Sequence, residues 1–457
     1  LKFYMAVLEK SGGLSLPKNY RGIAIGEAAS KIFAGILKKR LNALYEAAAP
    51  EFANGFRQGR GRADCINAVL TTCRRRKEWG LDSYLVLFDL VKCFDKIKRQ
   101  HIWNAMAKMG VPAKLTNVVR ATLEGSSALL HVEGIRREIM QEEGTGQGTT
   151  LGPVLCNFFL LPILLQWQDM WAGDATTLLH ADGTKVHSLL HSFADDTAII
   201  AKTREAAERI SKALHGYLQD FLLDVHVADA TTDISKSVVL LIPGRTRGGS
   251  ATGSTNMKAP LKMGDGSCWI NFVEKATYLG HTITADLLDE HHIRARMAKA
   301  SQVFGALRRP LFGNKQVWKV VKASVMKTVV LPTLLDGIEN CIITDAVMGH
   351  MESLYHRHVR SCLRVTPYQQ RKYKIRNETL LKRLGLQPLH YYLDLKLLGY
   401  AGHVQRMPPT RLPIQLRDTV MEGPRRPGRP QRGFAATLNA SLMRKGVAPI
   451  KSRFDNR

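Results

Sequence analysis

The amino-acid sequence predicts an α+β fold, in which a mixed region of strands and helices is followed by a region built almost entirely of helices. Strand and helix signals alternate over residues 81–285, whereas beyond them apolar residues recur at helical spacing, as in 291–307 and 389–405. Before residue 80 the chain is basic, and helical periodicity covers 28–44 and 64–78. This distribution favours a sheet packed against helices over an all-helical or all-strand protein.

Several short apolar runs within the mixed region predict strands. They lie at 84–90, 192–201, 238–242 and 276–283. The dipeptide Glu133-Gly134 between two further runs is a hairpin signal. A strongly apolar helix is predicted over 151–167, and the Gly/Ser/Thr-rich stretch at 244–255 is predicted to be a loop.

The composition points to a nucleic-acid partner. The 457 residues carry 66 Lys and Arg against 39 Asp and Glu, a formal net charge of +27, while 45% of residues are hydrophobic. This length allows roughly two to four compact units. A positive surplus of this size is typical of proteins that bind nucleic acid. A membrane partner is not expected, because the sequence lacks a run of about 18 apolar residues and a secretory signal.

The seven cysteines are spread along the chain without a Cys-x-x-Cys pair, which argues against a disulfide framework and against a zinc knuckle. A reducing compartment is therefore expected. The pairs His291-His292 and His356-x-His358 have no Cys or acid at metal spacing, and we expect them to lie on helix faces. The chain begins at Leu1 instead of Met, so it is expected to be part of a longer protein.

Three carboxylates predict a metal site. Asp195 and Asp196 interrupt the apolar run SFADDTAII at 192–200, and Asp89 ends the run YLVLFDL at 84–90. Adjacent ionised acids among apolar residues are unfavourable unless something compensates them, and a divalent cation at a hairpin tip would do so. Acids at the ends of neighbouring strands could hold two ions roughly 4 Å apart, the arrangement for displacement at phosphorus. From Asp195-Asp196 alone, a surface turn remains an equally good explanation.

Ordered motifs along most of the chain resemble those of the reverse transcriptases of non-LTR (LINE-type) retrotransposons. The matching segments are NYRGIAIGEAASKIFAGILKKRL at 19–41, GFRQGRGRADCI at 55–66, FDLVKCFDKI at 88–97, GTGQGTTLGPVL at 144–155, FADD at 193–196, SKSVVLLIP at 235–243, YLGHTI at 278–283, FGALRRPLF at 304–312, VVLPTLLDG at 329–337 and LGYAGHVQRMP at 398–408. Their number and order make the resemblance specific.

The resemblance implies a right-hand polymerase fold with a palm built on an antiparallel sheet. It implies fingers at 1–80, a palm at 81–285 with a fingers-like hairpin near 126–142, a helical thumb at 286–385, and a helical basic C-terminal extension at 386–457. It also implies an RNA-directed DNA polymerase that uses two Mg²⁺ ions, with Mn²⁺ as a substitute. Implied partners are an RNA template, including the RNA of its own element, a DNA primer or target, and dNTPs. Implied locations are nucleus and cytoplasm.

The resemblance assigns the chemistry to a small set of residues. Asp89, Asp195 and Asp196 become catalytic metal ligands, with the Leu90 carbonyl as an additional ligand. Phe94 takes the position of a ring that excludes a 2′-hydroxyl, although a core phenylalanine is the competing explanation.

Further residues are implied to bind substrate or primer. Gln147 and Gly148 would open the apolar helix and face the nucleotide. Arg57 and Arg60 would clamp the triphosphate, with a solvated loop as the alternative. Lys236 would protonate the leaving pyrophosphate, with an ordinary surface lysine as the alternative.

The primer grip is assigned to three consecutive residues, Tyr278, Leu279 and Gly280. An ordinary strand followed by a turn is the competing explanation for them.

Departures from the family pattern leave the acids in place. Cys93 stands for the usual Ala, Gly152 for the usual Ser, and VHVAD at 225–229 replaces a Gly-Leu-x-x-Asn pattern, which affects the alignment of Lys236. Two alternative functions remain open. One is an RNA-directed RNA polymerase, against which Ala194 and Phe94 argue. The other is a decayed nucleic-acid-binding remnant.

The C-terminal tail contains one further basic motif. RRPGRP at 425–430 resembles an AT-hook, but a flexible basic tail is the preferred interpretation. An endonuclease motif and a CCHC knuckle are not found in this sequence.

Overall fold

The computed structural model describes residues 2–9, 20–132, 134–180, 182–244, 259–424 and 434–448. Nearly all of the predicted loop at 244–255 and the whole AT-hook-like motif lie outside these residues. In the described part of the chain, no helix is both long enough and apolar enough to cross a membrane.

Strands and helices alternate over residues 81–285, as the sequence predicts. The strands are β1 (Lys2–Glu9), β2 (Tyr20–Gly26), β3 (Ser83–Phe88), β4 (Ser127–Val132), β5 (Ile135–Met140), β6 (Thr176–Leu179), β7 (Lys185–Ser188), β8 (Leu190–Phe193), β9 (Asp196–Ala201), β10 (Ala228–Asp229), β11 (Val238–Ile242), β12 (Leu261–Met263), β13 (Cys268–Phe272), β14 (Lys275–Tyr278), β15 (His281–Thr284) and β16 (Val420–Met421). The helices are α1 (Ala28–Ala48), α2 (Arg62–Glu78), α3 (Cys93–Lys96), α4 (Arg99–Lys108), α5 (Ala113–Leu123), α6 (Gly152–Met170), α7 (Arg204–Asp220), α8 (Glu290–Leu307), α9 (Lys319–Val325), α10 (Leu331–Leu334), α11 (Asp345–Leu363), α12 (Pro367–Lys372), α13 (Asn377–Leu384), α14 (Leu389–Gln405), α15 (Leu412–Arg417) and α16 (Phe434–Arg444).

The central sheet has the order β10-β13-β11-β3-β9-β8, with β12 paired to β13. Its middle strand, β3, is buried along its whole length and runs antiparallel to both β11 and β9. Helices α4, α6 and α7 pack on one face, and α2 with the β14-β15 hairpin packs on the other. Coverage on both faces explains why these strands are continuous apolar runs without polar alternation.

A second sheet, of order β2-β1-β4-β5, was only half predicted. The hairpin signal at Glu133-Gly134 is confirmed by β4 and β5, but β1 and β2 were not predicted. Strand β1 pairs with β2 over seven residues and with β4 in parallel, about 125 positions further along the chain. Most residues of β2 are at least partly exposed, so neither strand shows the apolar alternation of a half-buried strand.

The all-helical region beyond 286 is confirmed, but its core does not end at residue 385. Buried residues from Ile293 through Leu397 form one cluster, so α14 belongs to the same core as α8 and α11. Likewise α1 and α2 share cores with the central sheet. The division at 80, 285 and 385 remains a prediction, and the hydrophobic cores divide elsewhere.

The C-terminal helices are fastened to the rest of the chain through α2 and the β14-β15 hairpin. Arg74 donates two hydrogen bonds to the buried Asp289 at 2.8 and 2.7 Å, and Arg62 pairs with Asp336. His292 stacks on His281 with ring centroids 4.0 Å apart. His292 was expected on an exposed helix face, but it is fully buried within this joint.

Hydrogen bonds use both ring nitrogens of His292. Nδ1 accepts from the Thr282 amide at 3.1 Å, and Nε2 bonds to the Asp336 carbonyl at 2.9 Å. The potential ligand atoms of His281, His292 and Cys341 lie within 4.8 Å of one another, but these bonds make the cluster a packing joint. His358 is also buried, where it stacks on Phe304 with ring centroids 4.1 Å apart, and so departs from the helix-face expectation as well.

Candidate active site

The three predicted acids come together at the ends of neighbouring strands in the central sheet. Asp195 and Asp196 lie at the tip of the β8-β9 hairpin, whose last strand pair is Phe193 with Asp196. Ala194 has φ of +60°, which turns the chain tightly enough to present two consecutive carboxylates. In the adjacent strand Phe88 pairs with Thr197, so Asp89 emerges beside Asp196.

Burial and mutual repulsion perturb the acids of the hairpin. Burial, followed by the charges of Asp195 and Asp89, raises the pKa of Asp196 from 3.8 to about 6. Burial also raises the pKa of Asp195, with a further increase from Asp89 and a decrease from Arg21. Carboxylates that oppose each other's ionisation form a site that gains from a bound cation.

The donor set suits a hard divalent metal. Three carboxylates offer oxygen ligands only, which Mg²⁺ and Mn²⁺ prefer over thiol or imidazole ligands. Burial is the largest cause of the raised pKa values of Asp195 and Asp196, and the neighbouring carboxylates raise them further. The residues present therefore fit a divalent metal site.

Two basic side chains lie beside Asp89, and only one of them was predicted from the sequence. The ammonium of Lys236 lies 3.7 Å from Asp89 Oδ2, so the departure at 225–229 did not displace this lysine from the acids. His226 Nε2 lies 3.6 Å from the same oxygen and was not predicted. Burial, and then the Lys236 charge, lowers the pKa of His226. The segment bearing His226 is bonded to the strand end, because its amide donates to the Asp89 carbonyl at 2.9 Å.

Leu90 continues this strand end. Its side chain is buried, and its backbone forms an isolated bridge with Val225. The Ser237 hydroxyl accepts a 3.0 Å hydrogen bond from the Asp89 amide. The backbone around Asp89 is thus fixed from two sides.

Arg57 does not face the acids as a phosphate ligand, so the predicted triphosphate clamp needs correction here. It is buried, and all five of its guanidinium N–H groups are used within the protein. Nε and Nη2 donate to Glu46 Oε2 at 2.9 and 2.8 Å, Nη1 donates to the carbonyls of Pro50 and Ala53, and Nη2 donates to that of Ala49. Because this guanidinium has no spare donor, Arg57 stabilises the loop and does not bind substrate.

Arg60 is likewise committed to the protein interior. It forms a salt bridge with Glu51, and burial lowers its pKa. Glu51 also accepts a hydrogen bond of 3.1 Å from the Leu412 amide, which ties this loop to the C-terminal extension. The predicted phosphate contact of Arg60 is therefore not supported by its position.

These two arginines hold a segment that supports the catalytic hairpin. The Asn54 amide donates to the Ser192 carbonyl, and the Ser192 amide donates to the Phe52 carbonyl, both at 2.9 Å. Gly55 packs so closely that a Cβ atom there would lie 2.2 Å from the Ala194 nitrogen. The motif at 55–60 thus acts on the site through backbone contact.

Phe94 lies near the acids on the short helix α3 and is half-buried. Gln147 and Gly148 sit in the loop before α6, which begins only at Gly152, so the prediction that they open the helix is wrong by several residues. Gln147 Nε2 donates to Asp95 at 3.3 Å. Gly148 has φ of +91°, and a Cβ atom there would lie 2.8 Å from the Ala24 carbonyl oxygen, so its need for glycine comes from packing on β2.

The predicted primer grip is a tight hairpin whose tyrosine points inward. Leu279 and Gly280 form the turn with φ of +49° and +80°. Tyr278 is buried beneath the sheet, and its hydroxyl donates to the His191 carbonyl at 3.2 Å. Only the turn backbone and Leu279 remain for contact with a primer, and the side chain of Tyr278 has a structural role.

Comparison with known proteins identifies the family. The model described as "Reverse transcriptase (RNA-dependent DNA polymerase)" matches residues 8–283, which is more than half of the chain. The chain belongs to the reverse transcriptase family. The α+β right-hand polymerase fold predicted from the sequence is thereby confirmed.

The chain is also similar to polymerases of transposable elements. A Pol polyprotein from type-1 retrotransposable element R2 of Popillia japonica is 29% identical over 168 residues, covering 35% of this chain and 23% of the relative. A probable RNA-directed DNA polymerase from transposon BS of Drosophila melanogaster is 23% identical over 398 residues, covering 85% and 40%. The chain thus spans less than half of either relative's length. These matches confirm the resemblance to non-LTR retrotransposon reverse transcriptases.

One solved structure is also similar to part of this chain. The telomerase of Candida albicans, in complex with a fragment of telomeric RNA, aligns over 91% of this chain and 62% of its own, with 11% identity and a TM-score of 0.47.

Besides His226, two residues at the site of this reverse transcriptase were not selected from the sequence. Arg21 on β2 is exposed and acts electrostatically on Asp195. Phe56 is exposed next to Phe94 and has φ of +58°. Both lie inside motifs that matched the family, at 19–41 and 55–66, so the signal was present. It was not used because Arg and Phe at such positions have many structural roles.

Proposed function

We propose that this chain is the RNA-directed DNA polymerase of a non-LTR retrotransposon, which extends a DNA 3′ end on an RNA template. The observation that carries the proposal is the convergence of Asp89, Asp195 and Asp196 at the ends of the neighbouring antiparallel strands β3, β8 and β9 in the central sheet. The family match and the net charge of +27 support it.

Two Mg²⁺ ions, or Mn²⁺ in their place, are proposed to be held by Asp89, Asp195 and Asp196, with the Leu90 carbonyl as a further ligand. When bound, such ions activate the attacking hydroxyl and stabilise the leaving pyrophosphate. The chain itself supplies oxygen ligands in a rigid frame, because the hairpin is fixed by Ser192 and the strand end is fixed by Ser237.

Charged side chains around the acids are proposed to handle the triphosphate. Lys236 is exposed at the Asp89 edge, where its ammonium could donate a proton to the departing pyrophosphate. Arg21 is exposed, its charge acts on Asp195, and it is proposed to take the phosphate-binding role first assigned to Arg57 and Arg60. Gln147 is proposed to contact the incoming nucleotide.

Phe94 is proposed to select deoxynucleotides, because a ring under the sugar leaves no room for a 2′-hydroxyl. The turn at Leu279 and Gly280 is proposed to support the primer terminus through its backbone. These assignments follow the order of the family motifs.

The partners proposed are an RNA template, including the RNA of the chain's own element, a DNA primer or target, and dNTPs. Contacts to the phosphate backbone should dominate binding, with a strong dependence on salt. Nucleus and cytoplasm are the proposed locations, which follow from the family alone.

The test is cDNA synthesis by the purified chain on poly(A) annealed to oligo(dT), with Mg²⁺ or Mn²⁺. Asp195→Ala should abolish synthesis and leave RNA binding largely intact, because the carboxylate acts in the chemistry and not in holding the template. Synthesis at the wild-type rate in this variant would overturn the proposed function. RNA binding by both proteins, measured by fluorescence anisotropy, is the control.

A further inference from the structure

Phe56 has a backbone conformation that its side chain does not favour. Its φ of +58° lies in the left-handed region, which bulky residues rarely enter. Its ring is nevertheless 45% exposed, so burial of the ring does not account for the conformation. Strained residues of this kind concentrate at functional sites, where the surrounding structure enforces them.

The neighbours of Phe56 enforce its position from both sides. Gly55 packs against the backbone of Ala194 in the catalytic hairpin, and its carbonyl accepts a 2.8 Å hydrogen bond from Asn157. Arg57 follows with all five of its donors bound within the protein. The backbone before and after Phe56 is thus fixed.

The ring of Phe56 lies between the catalytic hairpin and Phe94. Its centroid is 6.3 Å from that of Phe94 at an interplanar angle of 85°, an edge-to-face pair. It is also 6.5 Å from Phe193, the residue that precedes Ala194 and the paired acids. Phe94 itself stands on the four-residue helix α3 and is only half-buried.

We propose that Phe56 is a positioning residue for sugar selection, which holds the ring of Phe94 in one orientation relative to the catalytic hairpin. The proposal rests on the proposed role of Phe94 as the ring that excludes a 2′-hydroxyl. A half-buried ring on a short helix can rotate away from a ribose, whereas the edge-to-face contact with Phe56 restricts that rotation. Selection of deoxynucleotides therefore depends on both rings.

The test compares single-nucleotide incorporation of dNTP and rNTP on one RNA template with a DNA primer. Phe56→Ala should lower the dNTP-over-rNTP preference by about three- to tenfold, the worth of one aromatic pair. Most of the change should appear as faster rNTP incorporation, with dNTP incorporation nearly unchanged. Phe56→Tyr keeps the ring edge and should restore the preference, which a change caused by general misfolding would not do.

A double-mutant cycle separates this inference from the proposed function. In a Phe94→Ala background, Phe56→Ala should cause no further loss of preference, because its partner ring is already gone. Phe33→Ala is the matched control, since Phe33 on α1 has the same 45% exposure and lies outside the site. Melting temperatures of all variants report on folding.

Each outcome of these experiments either supports or overturns the inference about Phe56. If Phe94→Ala lowers the preference and Phe56→Ala does not, the inference is overturned, while the proposed role of Phe94 in sugar selection stands. If Phe56→Ala lowers it equally in both backgrounds, Phe56 acts independently of Phe94, which also overturns the inference. If Phe94→Ala leaves the dNTP-over-rNTP preference unchanged, the proposed role of Phe94 in sugar selection is overturned, and the inference about Phe56 with it. The proposed function, cDNA synthesis by the wild-type chain, is not affected by that result.

Discussion

At the residue scale, the catalytic hairpin depends on side chains that do not contact substrate. Arg57 gathers the carboxylate of Glu46 and three backbone carbonyls around one buried guanidinium. Because it closes the loop at 49–57, it sets the position of Gly55 against Ala194. An ion pair of this kind stabilises a site without appearing in its chemistry.

Arg57→Ala should lower the free energy of unfolding by about 3 kcal/mol, because it leaves several buried acceptors without a donor. Urea denaturation of the purified chain measures this loss. Arg294→Ala is the control, since Arg294 is mostly exposed in a pair with Glu290 one helical turn away, and such pairs contribute about 0.5 kcal/mol or less. Equal losses in the two variants would contradict the buried-clamp role.

Lys236→Ala should reduce the rate of nucleotide incorporation by about a hundredfold at saturating dNTP, the usual contribution of a general acid. Binding of primer and template should change little, because one exposed ammonium is removed from a chain with a net charge of +27. Single-turnover kinetics separates the two effects. A variant that loses template affinity but keeps its incorporation rate would show that Lys236 only binds phosphate.

The chemistry-bearing residues were largely predictable, and their surroundings were not. Acids at strand ends and motif spacing are local signals, so Asp89 and the hairpin pair could be found from the sequence. The partners of Arg57 lie 4 to 11 positions away, at the end of α1 and in the irregular loop that follows it, where no periodicity indicates the burial of Arg57. The inward position of Tyr278 could have been found, because alternate burial of Ala276 and Tyr278 follows the period of a strand.

At the element scale, the β14-β15 hairpin and α8 meet at a joint of buried histidines that also contains Gly337. Its φ is +75°, and a Cβ atom at this position would lie 2.9 Å from His292 Nε2 and 3.3 Å from His281 Nδ1. Glycine is therefore required here both by backbone conformation and by space. The predicted primer grip is attached to the C-terminal helices at this joint.

Gly337→Ala should destabilise the chain more than Gly385→Ala does. Both glycines have nearly the same positive φ, +75° and +74°, so alanine introduces backbone strain of about 1 kcal/mol at each. Only at Gly337 does the methyl group also meet neighbouring atoms, because nothing lies within 4 Å of the Cβ position at Gly385. Thermal unfolding of both variants tests this, and identical melting temperatures would show that the joint has spare room.

The elements themselves were predicted where periodicity is strong. Strand β11 and helix α14 have the bounds expected from the sequence, and the apolar run at 151–167 is the core of α6. Strands β1 and β2 were missed because most of their residues are at least partly exposed, and because β1 also pairs with β4, far along the chain. Long-range pairing of partly exposed strands leaves little local trace in a sequence.

At the scale of the whole molecule, buried neutral histidines make stability depend on pH. Burial lowers the pKa of His191 from 6.5 to about 4, lowers that of His292 to about 3, and lowers that of His358 to about 4. Below pH 6.5 the unfolded chain binds protons at these sites while the folded chain does not, so stability falls as the pH drops. Asp196 opposes this trend, since its raised pKa of about 6 lets the folded chain take up a proton first.

His191→Gln isolates one such contribution. Between pH 7 and pH 5 the wild-type chain should lose about 2 kcal/mol more unfolding free energy than the variant, because only the wild type carries this suppressed protonation. Urea denaturation at the two pH values measures the difference, with the exposed His350→Gln as the control for the exchange. The same pH dependence in wild type and His191→Gln would contradict the prediction.

The central claim concerns three carboxylates acting as one site on a right-hand polymerase. Its most direct measurement is Mg²⁺-dependent extension of a DNA primer on an RNA template by the wild type and by Asp89→Asn, Asp195→Asn and Asp196→Asn. The exposed Asp182→Asn serves as the control. Each of the three variants should lose extension at least about a hundredfold while retaining template binding, because neutral amides cannot replace the charges that hold a metal. Extension at the wild-type rate by any of the three would contradict the account.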